Sequence, residues 1–250
     1  MLGCGSSDRV AFWLALLFMV LLLAMPAGEP LFRHWFPALE RPVYTRVPFV
    51  ELALSHIGLV AASSLVIVIL GIAAGAFVTR PMGREFAGIV DTIVTVGQTF
   101  PPVAVLAIAV PLTGYGATPT LLALIAYGAL PVVATTVTGL RGVPAAVREA
   151  ADGAGFSPLG RLLQIELPLA APVILSGIRT SVVISIGTAT IGSTVGAVTL
   201  GSPIIEGLSG SNPAYVLQGA ILVGLLAIAV DQAFEGLQRR MIRHQAEAAV

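Results

Sequence analysis

Residues 141–171 read RGVPAAVREAADGAGFSPLGRLLQIELPLAA, between two apolar runs at 119–140 and 173–200. The stretch is polar enough to lie outside a membrane, and it is punctuated as two short helices. Pro144 suits the first turn of one, and Gly153 or Gly155 its C-terminal end. Ser157 followed by Pro158 gives an N-cap with proline at the first helical position. Pro168 disfavours continuation of the second helix. A sharp turn is expected around Gly155 and Phe156.

Moving outward, the chain is 56% hydrophobic and only 10% charged, with mean hydropathy +0.95. A soluble domain carries about 25% charged residues, so much of this surface faces lipid. A bilayer-crossing helix needs about 20 apolar residues. Runs at 10–25, 56–78, 89–112, 119–140, 173–200 and 215–234 predict about six spans, the first slightly short. The third is interrupted by Gln98 and Pro101-Pro102, and the fourth contains Pro131. Residues 27–48, with Trp35, Phe36 and Tyr44, read as an external loop near the interface. Gly71-x-x-x-Gly75 and Gly192-x-x-x-Gly196 each place small residues on one helix face, as close packing requires.

All 13 basic residues are arginine. With the N-terminus cytoplasmic, nine lie inside (Arg9, Arg80, Arg84, Arg141, Arg148, Arg161, Arg239, Arg240, Arg243) and three outside (Arg33, Arg41, Arg46), obeying the positive-inside rule. Arg179 falls near the inner end of span five. The absence of lysine excludes a P-loop ATPase or kinase site and a Schiff-base nucleophile in this chain. Cys4 is the lone cysteine, and His34, His56 and His244 have no ligand spacing, so neither disulfide nor metal site is expected. Zero net charge gives no basic field for nucleic acid.

The quoted segment fills every defined position of E-A-A-x3-G-x9-I-x-L-P, with Glu149, Ala150, Ala151, Gly155, Ile165, Leu167 and Pro168. It resembles the coupling loop of ABC importer permeases, in which this element docks into a cleft on a separate ATPase subunit. The resemblance implies an all-α, polytopic transmembrane bundle with the type I ABC importer permease fold. It implies an N-terminal span and external loop over 1–48, the permease domain over 49–240 and a tail over 241–250. It further implies two ATPase subunits, a second permease copy or paralogue, and an extracytoplasmic binding protein. No cofactor is expected on this chain, with ATP and Mg on the partner subunits. The expected setting is a prokaryotic inner membrane, with both termini cytoplasmic.

Over 50–240 the chain is most similar to osmoprotectant permeases, for glycine betaine, choline or carnitine. Gln98-Thr99-Phe100-Pro101-Pro102 carries that resemblance, with Gly177-Ile178-Arg179-Thr180, 187–192, and Asn212-Pro213 through Gln218 to Asp231. Val198-Thr199-Leu200-Gly201 departs from it, standing where a more glycine-rich turn is expected. Permeases for methionine share the loop and core, and are the alternative.

Candidate path-lining residues are Gln98, Thr99 and Phe100 at the Pro-Pro break, and Thr188, Thr190, Ser193 and Thr194 in span five. Irregular backbone at membrane depth is tolerated where it is buried or lines a cavity. The competing reading is that these hydroxyls bond their own helix backbone. Phe100 and Tyr127 are candidate cation–π partners for a quaternary ammonium. Asp91, Arg179, Asp231 and Glu235 fall near span ends, and Arg179 is expected to pair with an acid such as Asp231, against simple snorkelling. Gly207-Leu208-Ser209-Gly210 matches the motif of intramembrane serine proteases, but the following span offers no histidine base. A stand-alone carrier or channel would place acids or histidines at mid-membrane and would not need the loop.

Overall fold

Inside a bilayer every backbone N–H and C=O must find a partner within the protein, and the α-helix does this within one segment. A computed structural model of the chain describes residues 6–99 and 101–248, and among these there is no strand. The helices are α1 (Ser6–Ala24), α2 (Glu29–Trp35), α3 (Phe49–Val78), α4 (Ala87–Thr99), α5 (Pro102–Thr113), α6 (Ala117–Arg141), α7 (Ala145–Gly153), α8 (Pro158–Arg161), α9 (Leu167–Ala189), α10 (Ser202–Ser209) and α11 (Pro213–Ala248).

Among the described residues, five helical stretches are long and apolar enough to cross a membrane: 8–35, 49–78, 117–141, 158–189 and 213–243. The expected third span is instead two helices of 13 and 12 residues, divided at Pro101. Proline there removes a donor and holds φ near −59°, so the helix must restart. The segment expected as an external loop holds α2 and then runs irregularly to Pro48.

Two expectations for the fifth span are corrected. It starts earlier and ends earlier than 173–200, because α8 runs into α9 through a π turn at 162–166 and α9 stops at Ala189. Pro168 therefore does not end the second loop helix. The Leu167 N–H bonds the Leu162 carbonyl five residues back, and the wider turn carries the chain past the proline. Pro172 in turn leaves the Pro168 carbonyl without a helical donor, and Gln245 Nε2 donates to it at 2.8 Å. Gly192 and Gly196 are not on one helix face: Gly192 lies in a 3-10 turn and Gly196 has φ +84°.

The centre of the bundle is α6, held between α3 and α9 at spacings that leave no room for β-carbons. A Cβ on Gly71 would stand 2.7 Å from Val132 Cγ1, and one on Gly75 2.6 Å from Thr136 Cβ. On the other flank, a Cβ on Gly177 would stand 2.5 Å from the Pro131 carbonyl oxygen. The α3 pair thus packs as its spacing predicts. Outside this core, α1 lies along α11, where Arg240 Nη2 donates to Asp8 Oδ2 at 2.9 Å.

Gly177→Val is expected to force α6 and α9 apart and destabilise the bundle by about 2–3 kcal/mol, as overpacking does. Gly58, with nothing within 4 Å of an added Cβ, is the control; Gly58→Ala should hold or raise stability by about 0.5–1 kcal/mol. Thermal unfolding in detergent measures both.

Candidate functional site

The loop between α6 and α9 begins at Pro144, which N-caps α7. The other end of α7 closes in a Schellman arrangement. Gly155 adopts φ +82°, its N–H bonds the Asp152 carbonyl at 3.1 Å, and the Phe156 N–H bonds the Ala151 carbonyl at 3.1 Å. A side chain is strained at that φ, which explains glycine at this position of the motif. Ser157 Oγ then accepts the Gly160 N–H at 3.0 Å and starts α8 as a helix cap.

Of the motif residues, Ala151 is buried, Ile165 and Leu167 are half-buried, and Glu149, Ala150, Gly155 and Pro168 are exposed. The apolar side chains of Phe156, Leu159 and Leu163 are also exposed on this segment, Leu159 at 64%. Beside them, α7 presents its exposed Glu149.

Four charged residues whose pairing the sequence reading did not anticipate, Asp152, Arg161, Glu166 and Arg80, tie the segment together. Glu166 fills the unspecified position of the motif and is 1% exposed. Its Oε1 accepts from Arg161 Nε at 2.9 Å, and its Oε2 accepts from Arg80 Nη2. Arg161 also pairs with Asp152 at the end of α7. The signal was present: Glu166 is the one charged residue in the run 162–178. A buried carboxylate there demands cationic partners. Between them, α3, α4 and α6 line an open cavity of about 400 Å³, with Asp91, Thr138 and Arg141 in its wall.

A second ion cluster joins α9 to α11. Arg179 donates through Nε to Asp231 Oδ1 at 2.6 Å and through Nη2 to Asp231 Oδ2 at 2.7 Å, with Glu235 at 3.4 Å. The expected pair is therefore formed, in the two-pronged geometry arginine favours.

At the opposite end, the irregular segment 36–48 is fixed to α11. Gln218 is fully buried; its Oε1 accepts the Tyr44 N–H at 3.0 Å and its Nε2 donates to the Pro42 carbonyl at 2.6 Å. Asn212 accepts the Tyr215 N–H at 3.2 Å, capping α11, and donates to the Arg41 carbonyl at 2.9 Å. The Tyr44 hydroxyl donates to Glu206 at 3.0 Å, and Arg46 pairs with the same carboxylate. Burial, and then the Glu206 carboxylate it donates to, raise the Tyr44 phenol above its ordinary pKa.

The described path candidates lie at the end of α4 and at and beyond the end of α9. Gln98 (its side chain) and Phe100 lie outside the described residues. Thr99 bonds the Val96 carbonyl at 2.9 Å, Thr190 the Gly187 carbonyl at 2.7 Å, and Thr194 the Ile191 carbonyl at 2.7 Å. These three hydroxyls satisfy their own turns, as the competing reading expected. Thr188 is half-buried on the last turns of α9. Ser193 does more: its Oγ lies 2.8 Å from the buried Thr199 Oγ1 and 3.2 Å from Ser202 Oγ, closing the chain that re-enters after α9.

A bundle of apolar helices with a capped helical loop between its third and fourth long elements defines a class of membrane transport subunit. The chain belongs to the family of binding-protein-dependent transport system inner membrane components, whose model matches residues 67–243. It is 38% identical over 210 residues to the osmoprotectant import permease protein OsmY of Salmonella typhimurium, covering 84% of this chain and 89% of that one. It is 41% identical over 184 residues to the choline transport system permease protein OpuBB of Bacillus subtilis, covering 71% and 83%. Among solved structures, inward-facing MetNI methionine ABC transporter superposes with TM-score 0.69 at 20% identity, over 77% of this chain and 95% of that one. That likeness establishes the type I importer permease fold.

Gln218→Leu leaves the Tyr44 N–H and the Pro42 carbonyl buried without partners and should cost about 2–4 kcal/mol. Asp231→Asn, at a pair still partly open to solvent, should cost about 1 kcal/mol. Thermal unfolding gives the ranking, and limited proteolysis within 36–48 should accelerate only for Gln218→Leu.

Proposed function

We propose that this chain is the permease subunit of an ATP-driven importer of a small osmoprotectant, such as glycine betaine, choline or carnitine. The observation that carries the solute class is 38–41% identity to osmoprotectant and choline permeases across more than two thirds of both chains. The methionine transporter among the structural neighbours is 20% identical, which speaks for the fold and not the cargo.

Work is divided between subunits. With no lysine in the chain, a P-loop is unavailable, so ATP and Mg are bound by separate ATPase subunits, two in the complete complex. Loop 141–171 is the docking element, with Glu149, Ala150, Ala151, Gly155, Ile165, Leu167 and Pro168 shaping it. Its exposed Phe156, Leu159 and Leu163 offer apolar surface, and Glu149 a charged rim, to a cleft on the partner. Space around Gly155 is open in the isolated chain, so a side chain there meets only what docks.

The bundle works as a pair with a second copy or a paralogue, fed by an extracytoplasmic binding protein. Arg80 and Arg161 lie at one end with the loop, and Arg46 lies at the other beside Glu206. The positive-inside rule makes the loop end cytoplasmic, with both termini on that side. Thr188, Ser193 and the hydroxyls near them line the outer part of the path.

Reconstitution in liposomes with ATPase and binding protein tests this. ATP-dependent uptake of labelled glycine betaine or choline is expected, and Gly155→Asp should abolish uptake and ATPase association at a cost in stability of only about 1–2 kcal/mol from the left-handed backbone. Coupled ATP hydrolysis with uptake of methionine instead would overturn the solute class. Loss of neither uptake nor association in Gly155→Asp would overturn the docking role of the loop.

A further inference from the structure

The loop is continuous in chain with α6 on one side and with α9 on the other. The third core helix, α3, has no such continuity. It reaches the loop through Arg80, two residues past its end, whose guanidinium holds Glu166 Oε2. The other oxygen of the same carboxylate is held by Arg161, which pairs in turn with Asp152 on α7. An unbroken line of charge contacts thus runs from α7 through α8 and Glu166 to the end of α3.

The line crosses the joint between α8 and α9. Residues 162–166 form a π turn between α8 and α9, with hydrogen bonds to the fifth residue back, and Glu166 is its last residue. Arg161 stands immediately before the turn, so the Arg161–Glu166 pair spans it end to end. A buried ion pair is a poor means of adding stability compared with apolar packing. Packing of α3 and α9 on α6 is already provided by Gly71, Gly75 and Gly177. What the charges add is geometry: with both oxygens of one buried carboxylate engaged, the turn has one admissible bend.

We propose that Arg80, Glu166 and Arg161 are positioning residues that splint this turn. A push on α7 then moves α3, α6 and α9 as one body and is not absorbed as a hinge at 162–166. The inference rests on the reading of α7 as the ATPase-docking element.

The test uses the whole complex, with Val198→Cys in a Cys4→Ser background as reporter. Val198 is 39% exposed, beyond the far end of α9. Maleimide labelling at this site, with and without ATP, reads the conformational response whatever the solute. Arg80→Gln and Glu166→Gln should each reduce the ATP-dependent change in labelling by about fivefold or more, in the range of an inter-site coupling. ATP hydrolysis and complex recovery should stay near wild type, so that hydrolysis proceeds without the stroke. The double variant should be no worse than Glu166→Gln alone, which already removes the Arg80 pair. Arg80→Gln leaves Glu166 paired with Arg161, so it decides the matter if Glu166→Gln does not accumulate. A full labelling response with only a lowered unfolding temperature would overturn the splint, as would multiplicative losses in the double variant. If wild type shows no ATP-dependent labelling and Gly155→Asp associates with the ATPase normally, the docking reading fails first and the splint falls with it.

Discussion

The closeness of α6 to its two neighbours is the constraint on which the bundle depends. In lipid, apolar helices gain nothing from leaving water together, so association rests on contact and on the few polar bonds available. Here contact is bought by glycine on both flanks: Gly71 and Gly75 admit Val132 and Thr136, and Gly177 admits the Pro131 turn of α6. Two further close approaches come from α6 itself, where Gly128 lies under Ser181 and Gly139 under Ala170. These contacts recur along the length of α6 and fix the rotation of α3 and α9 about their own axes. That rotation is what brings Arg80 and Glu166 to the same place at the loop end.

Prolines inside the helices create needs that α11 answers. Pro172 frees the Pro168 carbonyl, which takes a hydrogen bond from Gln245, and the Pro172 carbonyl receives Gln238 at 3.1 Å. Arg179 is met by Asp231 and Glu235 of the same helix. At 36 residues, α11 is about 54 Å long, well beyond the hydrocarbon thickness of about 30 Å. Its extra length is spent at the loop end, where it secures the start of α9 and, through Arg240 and Asp8, the start of α1. A single long helix therefore latches two others at the level where charges first become admissible.

The sequence was most readable where local chemistry decides the structure. Ser157-Pro158 and Gly155 mark a cap and a left-handed turn whatever surrounds them, and both are found in place. The acidic partner of Arg179 was also legible, because a charge near a span end leaves few options. Reading failed where a long-range contact or a wider turn overrode the local rule. Pro168 should have stopped a helix, but the π turn before it accommodates the missing donor. The apolar run to Leu200 looked like one helix, but α9 ends at Ala189. Gly201 packs so tightly on Thr190 that a Cβ would stand 2.5 Å from its Cα, which only a folded-back chain achieves. Arg80 carried no local sign of its partner, which is 86 residues away.

That fold-back gives α6 a second role, at the end opposite the loop. The Gly116 N–H, at the start of α6, donates to the Val195 carbonyl at 2.7 Å. A Cβ on Gly192 would stand 2.7 Å from Thr120 Oγ1 on the first turn of the same helix. Free backbone between 190 and 201 is tolerable at this depth only because hydroxyls and the start of α6 supply its partners. Ser193 bonds both Thr199 and Ser202, and Thr199 Oγ1 accepts the Gly201 N–H at 2.9 Å. One continuous helix thus joins the loop at its last residue and meets the irregular segment at its first turn. Displacement of α6 along or about its axis is felt at both ends at once, with no need for a flexible relay between them.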